Sequence, residues 1–178
     1  IGIHWSNPPH IIPVIEVIRG AQTSDETVDT MNTFVQSIGM IPVEVLRDVP
    51  GFVENRILYA IMREALHLVE QGVATPDAID EIIKWGVGFK LAAIPPLQLL
   101  DVAGLDIYNS VASYLNSDLS TEQHVSHTIT EKVTKGHLGI KTGRGLFKYQ
   151  PGEIPTLMQG RMRMLLNLKK ALTNNEAE

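Results

Sequence analysis

The chain contains no cysteine among its 178 residues, so it has no disulfide framework, no thiolate metal site and no cysteine nucleophile. That is in keeping with a reducing, cytoplasmic setting. Aromatics are scarce at 6%, and no apolar run approaches the roughly 20 residues that span a bilayer. No membrane segment is expected. Basic residues are outnumbered, 15 against 20 acidic, for a formal charge of −5. There is no basic field to hold nucleic acid, and none is expected as a partner. The first residues, Ile1-Gly2-Ile3-His4, lack an initiator Met and the charged, apolar start of an export signal. They read as a chain entered midway.

What is present is 44% hydrophobic residue in two kinds of pattern. Over Ile11–Ile18 the sequence is β-branched, with Glu16 inside Val14-Ile15-Glu16-Val17-Ile18, which predicts a buried strand. Thr23-Ser24-Asp25-Glu26 forms a capping box, with Glu26 reaching back to Thr23, and Val28, Met31, Val35 and Ile38 continue at helical spacing. A helix is predicted over 24–38, stopped by Gly39. Ile41, Val43 and Val45 then alternate around Pro42, as in a strand near a sheet edge. Residues 1–47 therefore read as strand, helix, strand.

After Asp48-Val49-Pro50-Gly51 the long segments are helical in period, so a domain boundary is expected near 48. The apolar circumference of 52–70 predicts a central, largely buried helix. Thr75 offers an N-cap with Pro76 in the first turn of a helix to about Trp85. Gly86-Val87-Gly88 and Pro95-Pro96 bracket an expected loop. Further helices are expected over 97–102, 106–115, 122–135 and 154–172, and a short strand over 146–149 after a turn at Lys141–Gly145. The polar end, 174–178, is expected to fray. The expected fold is mainly α: a helical domain, 48–178, preceded by a strand-helix-strand portion, 1–47.

Glu16 is the first candidate for chemistry, because a carboxylate within an apolar strand is costly unless paired. His4, twelve positions earlier and joined to it through the Pro8-Pro9 bend, is the obvious partner. A carboxylate on one ring nitrogen fixes the tautomer and leaves the other to take a proton. The alternative is a satisfied histidine with Glu16 turned to solvent, and spacing alone does not choose. Asn55 shares a helical face with Tyr59, Met62 and Leu66, so its amide needs either a ligand or a backbone partner. His124 and His127 sit three apart on the expected 122–135 helix, but no third ligand accompanies them, and no metal is expected.

Several motifs come in one order: His4-x-x-Asn7-Pro8, Val14-Ile15-Glu16-Val17, Thr23-Ser24-Asp25-Glu26, Pro50-Gly51-Phe52-Val53-x-Asn55-Arg56, Glu70-x-Gly72-Val73-Ala74-Thr75, Leu99-Leu100-Asp101-x-x-Gly104-Leu105-Asp106 and Lys141-Thr142-Gly143-x-Gly145. In this the chain, over 1 to about 149, resembles the 3-hydroxyacyl-CoA dehydrogenase family. The resemblance implies the last elements of an NAD-binding Rossmann-like domain over 1–47, and a helical domain that binds substrate and pairs subunits. It implies that His4 is the base for the 3-hydroxyl, that Glu16 orients it, and that Asn55 contacts substrate. Asn7, beside the histidine, is carried over as a second substrate-side residue or a loop-fixing one.

The family's glycine-rich phosphate turn has no match here; Gly86-Val87-Gly88 has Leu91 where a third glycine belongs. NAD is therefore expected to be held mainly by an upstream half, and this chain alone is expected to be inactive. Where acyl-CoA enzymes of the family read Gly-x-Pro-Met-Gly-Pro, this chain has Gly88-Phe89-Lys90-Leu91-Ala92-Ala93-Ile94-Pro95-Pro96. The first-choice substrate is a 3-hydroxyacyl-CoA in fatty-acid or related oxidation. The alternatives are a small hydroxy acid or alcohol without CoA, or a helical oligomerisation or binding module without turnover. The surplus apolar residues Leu97, Leu99, Leu100 and Val102 are expected in a core or at a homodimer face.

Overall fold

The computed structural model describes residues 1–175; of the tail expected to fray, 176–178 lie outside the described residues. The chain is mainly helical with one small sheet, and its contacts group into two compact units. One is built from residues 1–60 and the segment from Gln159 onward, the other from Ile61–Met158.

In the first unit, strands β1 (Gly2–Trp5), β2 (Val14–Ile18) and β3 (Ile41–Val45) lie in the order β1-β2-β3. β1 runs antiparallel to β2, whereas β2 and β3 are parallel, joined by helix α1 (Asp25–Ser37). β1 was not expected from the sequence, because four residues ending at an exposed Trp5 are too few to display a period. Alternation along β2 sends Ile15 and Val17 to one face and Glu16 to the other. Ile15 and Val17 form the core with Val35 of α1, and Met31 and Met40 pack against it. The cap of α1 is Ser24, whose Oγ accepts the Thr27 amide at 3.2 Å, while Thr23 Oγ1 accepts the Gly20 amide. The expected cap is thus displaced by one residue.

Helix α2 (Glu54–Glu70) passes from the first unit into the second. Contrary to expectation none of its residues is buried; Ile57 is 52% and Tyr59 67% exposed. An apolar circumference records what a helix can bury, not what covers it.

The second unit continues with α3 (Pro76–Ile82), capped by Thr75 Oγ1 on the Ala78 amide at 3.3 Å. The loop expected between Gly86-Val87-Gly88 and Pro95-Pro96 is instead largely helical: a π-helical turn, Ile83–Gly88, runs into α4 (Phe89–Ala93). A Cβ at Gly88 would lie 3.1 Å from the Ile83 carbonyl oxygen, so glycine here relieves crowding in the wider turn rather than breaking the helix. Helices α5 (Pro96–Ala103) and α6 (Leu105–Leu115) follow across Gly104, whose φ is +98°.

Helix α7 covers only His127–Thr134. Glu122 accepts the amides of Gln123 and His124, a local turn that competes with the longer helix expected there and leaves His124 and His127 off a common helix. The Glu70 carboxylate receives the Ser126 hydroxyl and the Thr128 amide at the start of α7. Residues 140–142 form a 3₁₀ turn, and the strand expected over 146–149 is reduced to one isolated bridge, Arg144 to Lys148. Helix α8 spans Ile154–Asn175. No helix among the described residues is long and apolar enough to cross a membrane.

Two substitutions test this account. Ile15→Ala removes a core side chain that is 1% exposed, and should lower unfolding free energy by about 2–5 kcal/mol in urea titrations. Thr75→Ala removes one capping bond and should cost about 1 kcal/mol; equal losses would mean that the sheet–α1 interface is not the main core.

Candidate functional site

The site begins with register. In the β1–β2 ladder His4 lies directly opposite Glu16, so their side chains share a sheet face, and the twelve-residue spacing is that of a returning strand. His4 Nδ1 and Glu16 Oε2 are 2.8 Å apart. Glu16 is 3% exposed, and its other oxygen accepts the backbone amides of Val53 at 2.8 Å and Glu54 at 3.1 Å. The structure therefore gives the pairing rather than a carboxylate in solvent.

The amides reach Glu16 because the chain turns sharply just before α2. Gly51 has φ +80° and Phe52 has φ +47°, a left-handed conformation that a phenylalanine rarely adopts. Val53 and Glu54 then present free amides at the helix start, where an anion is also favoured by the helix dipole. The Phe52 ring lies against the His4 imidazole, with centroids 5.4 Å apart and planes tilted by 48°. His4 is thus held by its strand, by a carboxylate and by an aromatic ring. Its Nε2 makes no hydrogen bond among the described residues, and the side chain is 31% exposed.

Burial by itself raises the pKa of Glu16, but the bond from His4 and the two amides outweigh it, and the carboxyl titrates below its ordinary value. Glu16 is accordingly held in its ionised form.

Two further side chains complete the cluster, and sequence reading missed both. Ser6, 5% exposed, donates its hydroxyl to Glu54 Oε1 at 2.5 Å. The only sequence signal at Glu54 is an acidic residue in a first helical turn, which ordinarily complements the dipole. The donor atoms of His4, Glu16 and Glu54 lie within 4.8 Å of one another. That spacing resembles a metal cluster, but Glu16 spends both oxygens on His4 and the two amides, and Glu54 Oε1 is spent on Ser6. Asn55 follows in the first turn of α2, half-buried, with no side-chain hydrogen bond among the described residues. Asn7 is exposed, and its own side chain likewise makes no bond among them; the Pro8 carbonyl receives the amides of Ile11 and Ile12. The structure brings His4 and Glu16 together, sets Asn55 one residue beyond Glu54, and leaves Asn7 in the connecting loop.

A depressed carboxyl contributes stability above its unfolded pKa and loses it as pH falls through the folded value. The stability advantage of the native protein over Glu16→Gln should therefore be full at neutral pH and shrink below the ordinary value of 4.5. Thermal melting of both across that range checks it; parallel curves would show that Glu16 is not held ionised by these bonds.

Comparison with known proteins places this geometry. Residues 51–149 match the model of the 3-hydroxyacyl-CoA dehydrogenase C-terminal domain, and residues 1–49 that of the family's NAD binding domain. A 5-formyl-3-hydroxy-2-methylpyridine 4-carboxylate 5-dehydrogenase from Mesorhizobium japonicum is 51% identical over 176 residues, 99% of this chain and 57% of that protein. A solved structure of an enzyme of that name, described as an NAD+ dependent dismutase, matches with a TM-score of 0.94 at 51% identity, covering 97% of this chain and 56% of its own. A probable 3-hydroxybutyryl-CoA dehydrogenase from Bacillus subtilis is 40% identical over 84% of this chain and 51% of that protein. The chain spans about half the length of the curated relatives it matches. With both family models in register, and more than half of its residues in the larger match, this chain belongs to the 3-hydroxyacyl-CoA dehydrogenase family, whose enzymes are NAD-dependent oxidoreductases.

Proposed function

We propose that this chain is the substrate-side part of an NAD-dependent dehydrogenase acting on a small, polar, CoA-free compound, an aromatic aldehyde bearing a carboxylate. The observation that carries the reading is the 51% identity over 176 residues to the pyridine-carboxylate enzyme, continuing beyond residue 149, where the family match ends. The segment after Gly88, which departs from the acyl-CoA pattern and folds as a continuous helix into α4, supports it. This reverses the order in which the sequence resemblance ranks acyl-CoA and small substrates. Residues 1–47 are then the terminal elements of a Rossmann-like domain, and 48–178 the helical substrate-binding and dimerisation domain, in a cytoplasmic protein.

His4 is the base. Its Nδ1 is engaged by Glu16, so Nε2 is the nitrogen left to take the proton of a substrate hydroxyl. In an aldehyde that hydroxyl belongs to the hydrate: its O–H proton passes to His4 as the C–H bond breaks and the new carbonyl forms. NAD supplies the acceptor for the departing hydride. Glu16 is the positioning residue, holding the tautomer and offsetting the imidazolium charge. Asn55, at the start of α2, and Asn7, in the loop after β1, are the substrate-side polar groups. The chain's residues fit the reacting end of the cofactor site and not its phosphates, since Gly86–Gly88 lies inside a helical segment rather than after a strand.

The exposed apolar surface of the helical domain supports a homodimer. Leu97 is 77%, Val102 70% and Leu105 59% exposed, and α5 and α6 contain no buried residue. A second copy of the chain is the natural cover for such a surface.

In the full-length protein, kcat/KM for an aromatic aldehyde carboxylate should exceed that for 3-hydroxybutyryl-CoA by about 100-fold or more, read as NADH formation; the opposite preference would return the assignment to acyl-CoA. His4→Gln should abolish turnover of whichever substrate is used while NAD still binds. Glu16→Gln should slow it less and shift its pH profile. Val102→Glu should move the sedimenting species from dimer towards monomer; an unchanged mass would place the subunit contact elsewhere.

A further inference from the structure

We infer that Glu54, anchored by Ser6, is a second carboxylate of the His4 site: a positioning residue that, beside Glu16, holds the imidazole and stabilises its protonated form. The inference rests on His4 being the base, as proposed above.

Glu54 does two things at once. Its backbone amide donates to Glu16 Oε1, while its side chain folds back from the start of α2 to the hydroxyl of Ser6, two residues beyond His4. The start of α2 is thereby tied both to Glu16 of β2 and to Ser6 just after β1. Ser6 is 5% exposed, so this tie is made away from water, where a hydrogen bond to a carboxylate is strong.

The remaining oxygen of Glu54 is the unexplained atom. Oε2 is buried and has no hydrogen-bond partner among the described residues. A carboxylate oxygen in that state is costly unless a positive charge comes close. The titratable groups facing His4 are Glu16 from β2 and Glu54 from α2; Phe52, from the turn between them, brings no charge. One potential ligand atom from each of His4, Glu16 and Glu54 lies within 4.8 Å of the others, so His4 is the neighbouring group that can become positive. When substrate oxidation transfers its proton to Nε2, the imidazolium has the carboxyl groups of Glu16 and Glu54 in the same cluster, and its interaction with each becomes more favourable.

The test is Glu54→Gln in the full-length enzyme, a substitution that keeps the shape and a Ser6 bond but removes the charge. Expected is a fall in kcat of roughly 3- to 10-fold with KM unchanged, and an acid limb of the pH–rate profile displaced to lower pH, because a weaker base is left. Ser6→Ala, which frees the Glu54 side chain, should move both readouts in the same direction and add nothing on top of Glu54→Gln. Unaltered kcat and pH profile in Glu54→Gln would overturn the inference, as would fully additive effects of the two substitutions. Because Ser6→Ala is the milder change to the fold, it serves alone if Glu54→Gln does not fold: an unchanged profile there also overturns the inference. His4→Gln separates the levels, since normal turnover without His4 would remove the underlying reading, whereas loss in His4→Gln with a normal Glu54→Gln removes only this one.

Discussion

The Glu16 carboxylate is the point on which the first compact unit depends. It lies in the middle strand of the sheet with hydrophobic neighbours on either side in sequence, where an unpaired charge could not be tolerated. Three hydrogen bonds satisfy it: one from the ring of His4 on the neighbouring strand, and two from amides at the start of α2. The ladder register, the left-handed turn at Gly51-Phe52 and the starting point of α2 together bring the partners of this one buried anion, which is solvated by protein instead of water.

The same constraint joins structure to chemistry. An imidazole whose Nδ1 is engaged and whose face is covered by an aromatic ring has one nitrogen left for other work. A proton taken up at that nitrogen would meet, in Glu16, a partner for the resulting charge that is already in place. The backbone conformation at Phe52 is the cost of that arrangement: a bulky residue at positive φ is kept where the turn must deliver two amides to one oxygen.

The second unit follows a different logic. Its only buried hydrophobic side chain among the described residues is Ile79, and its helices carry large apolar side chains at the surface. Local devices hold it together instead: the Thr75 cap, the Glu70 carboxylate at the start of α7 and the Glu64 carboxylate on the Ser120 amide. A unit organised in this way presents surface for binding or association rather than a closed core of its own.

By itself the sequence determined the order of elements, the mainly helical character, the strand containing Glu16, the caps and stops at Thr75 and Gly39, and the pairing of motifs that names the family. These are local in origin: period, capping chemistry and glycine conformations are written within a few residues. It did not determine β1, which is too short to show a period, nor the π-helical turn at 83–88, where glycines that ordinarily end helices relieve crowding inside one. Nor did periodicity reveal that α2 has no buried residue among the described residues. Only the tertiary structure decided that His4 and Glu16 meet, because two residues twelve apart can lie opposite each other or far from each other depending on strand register. It alone brought in Ser6 and Glu54, 48 positions apart, since a contact between a strand end and a helix start leaves no trace in the local pattern of either.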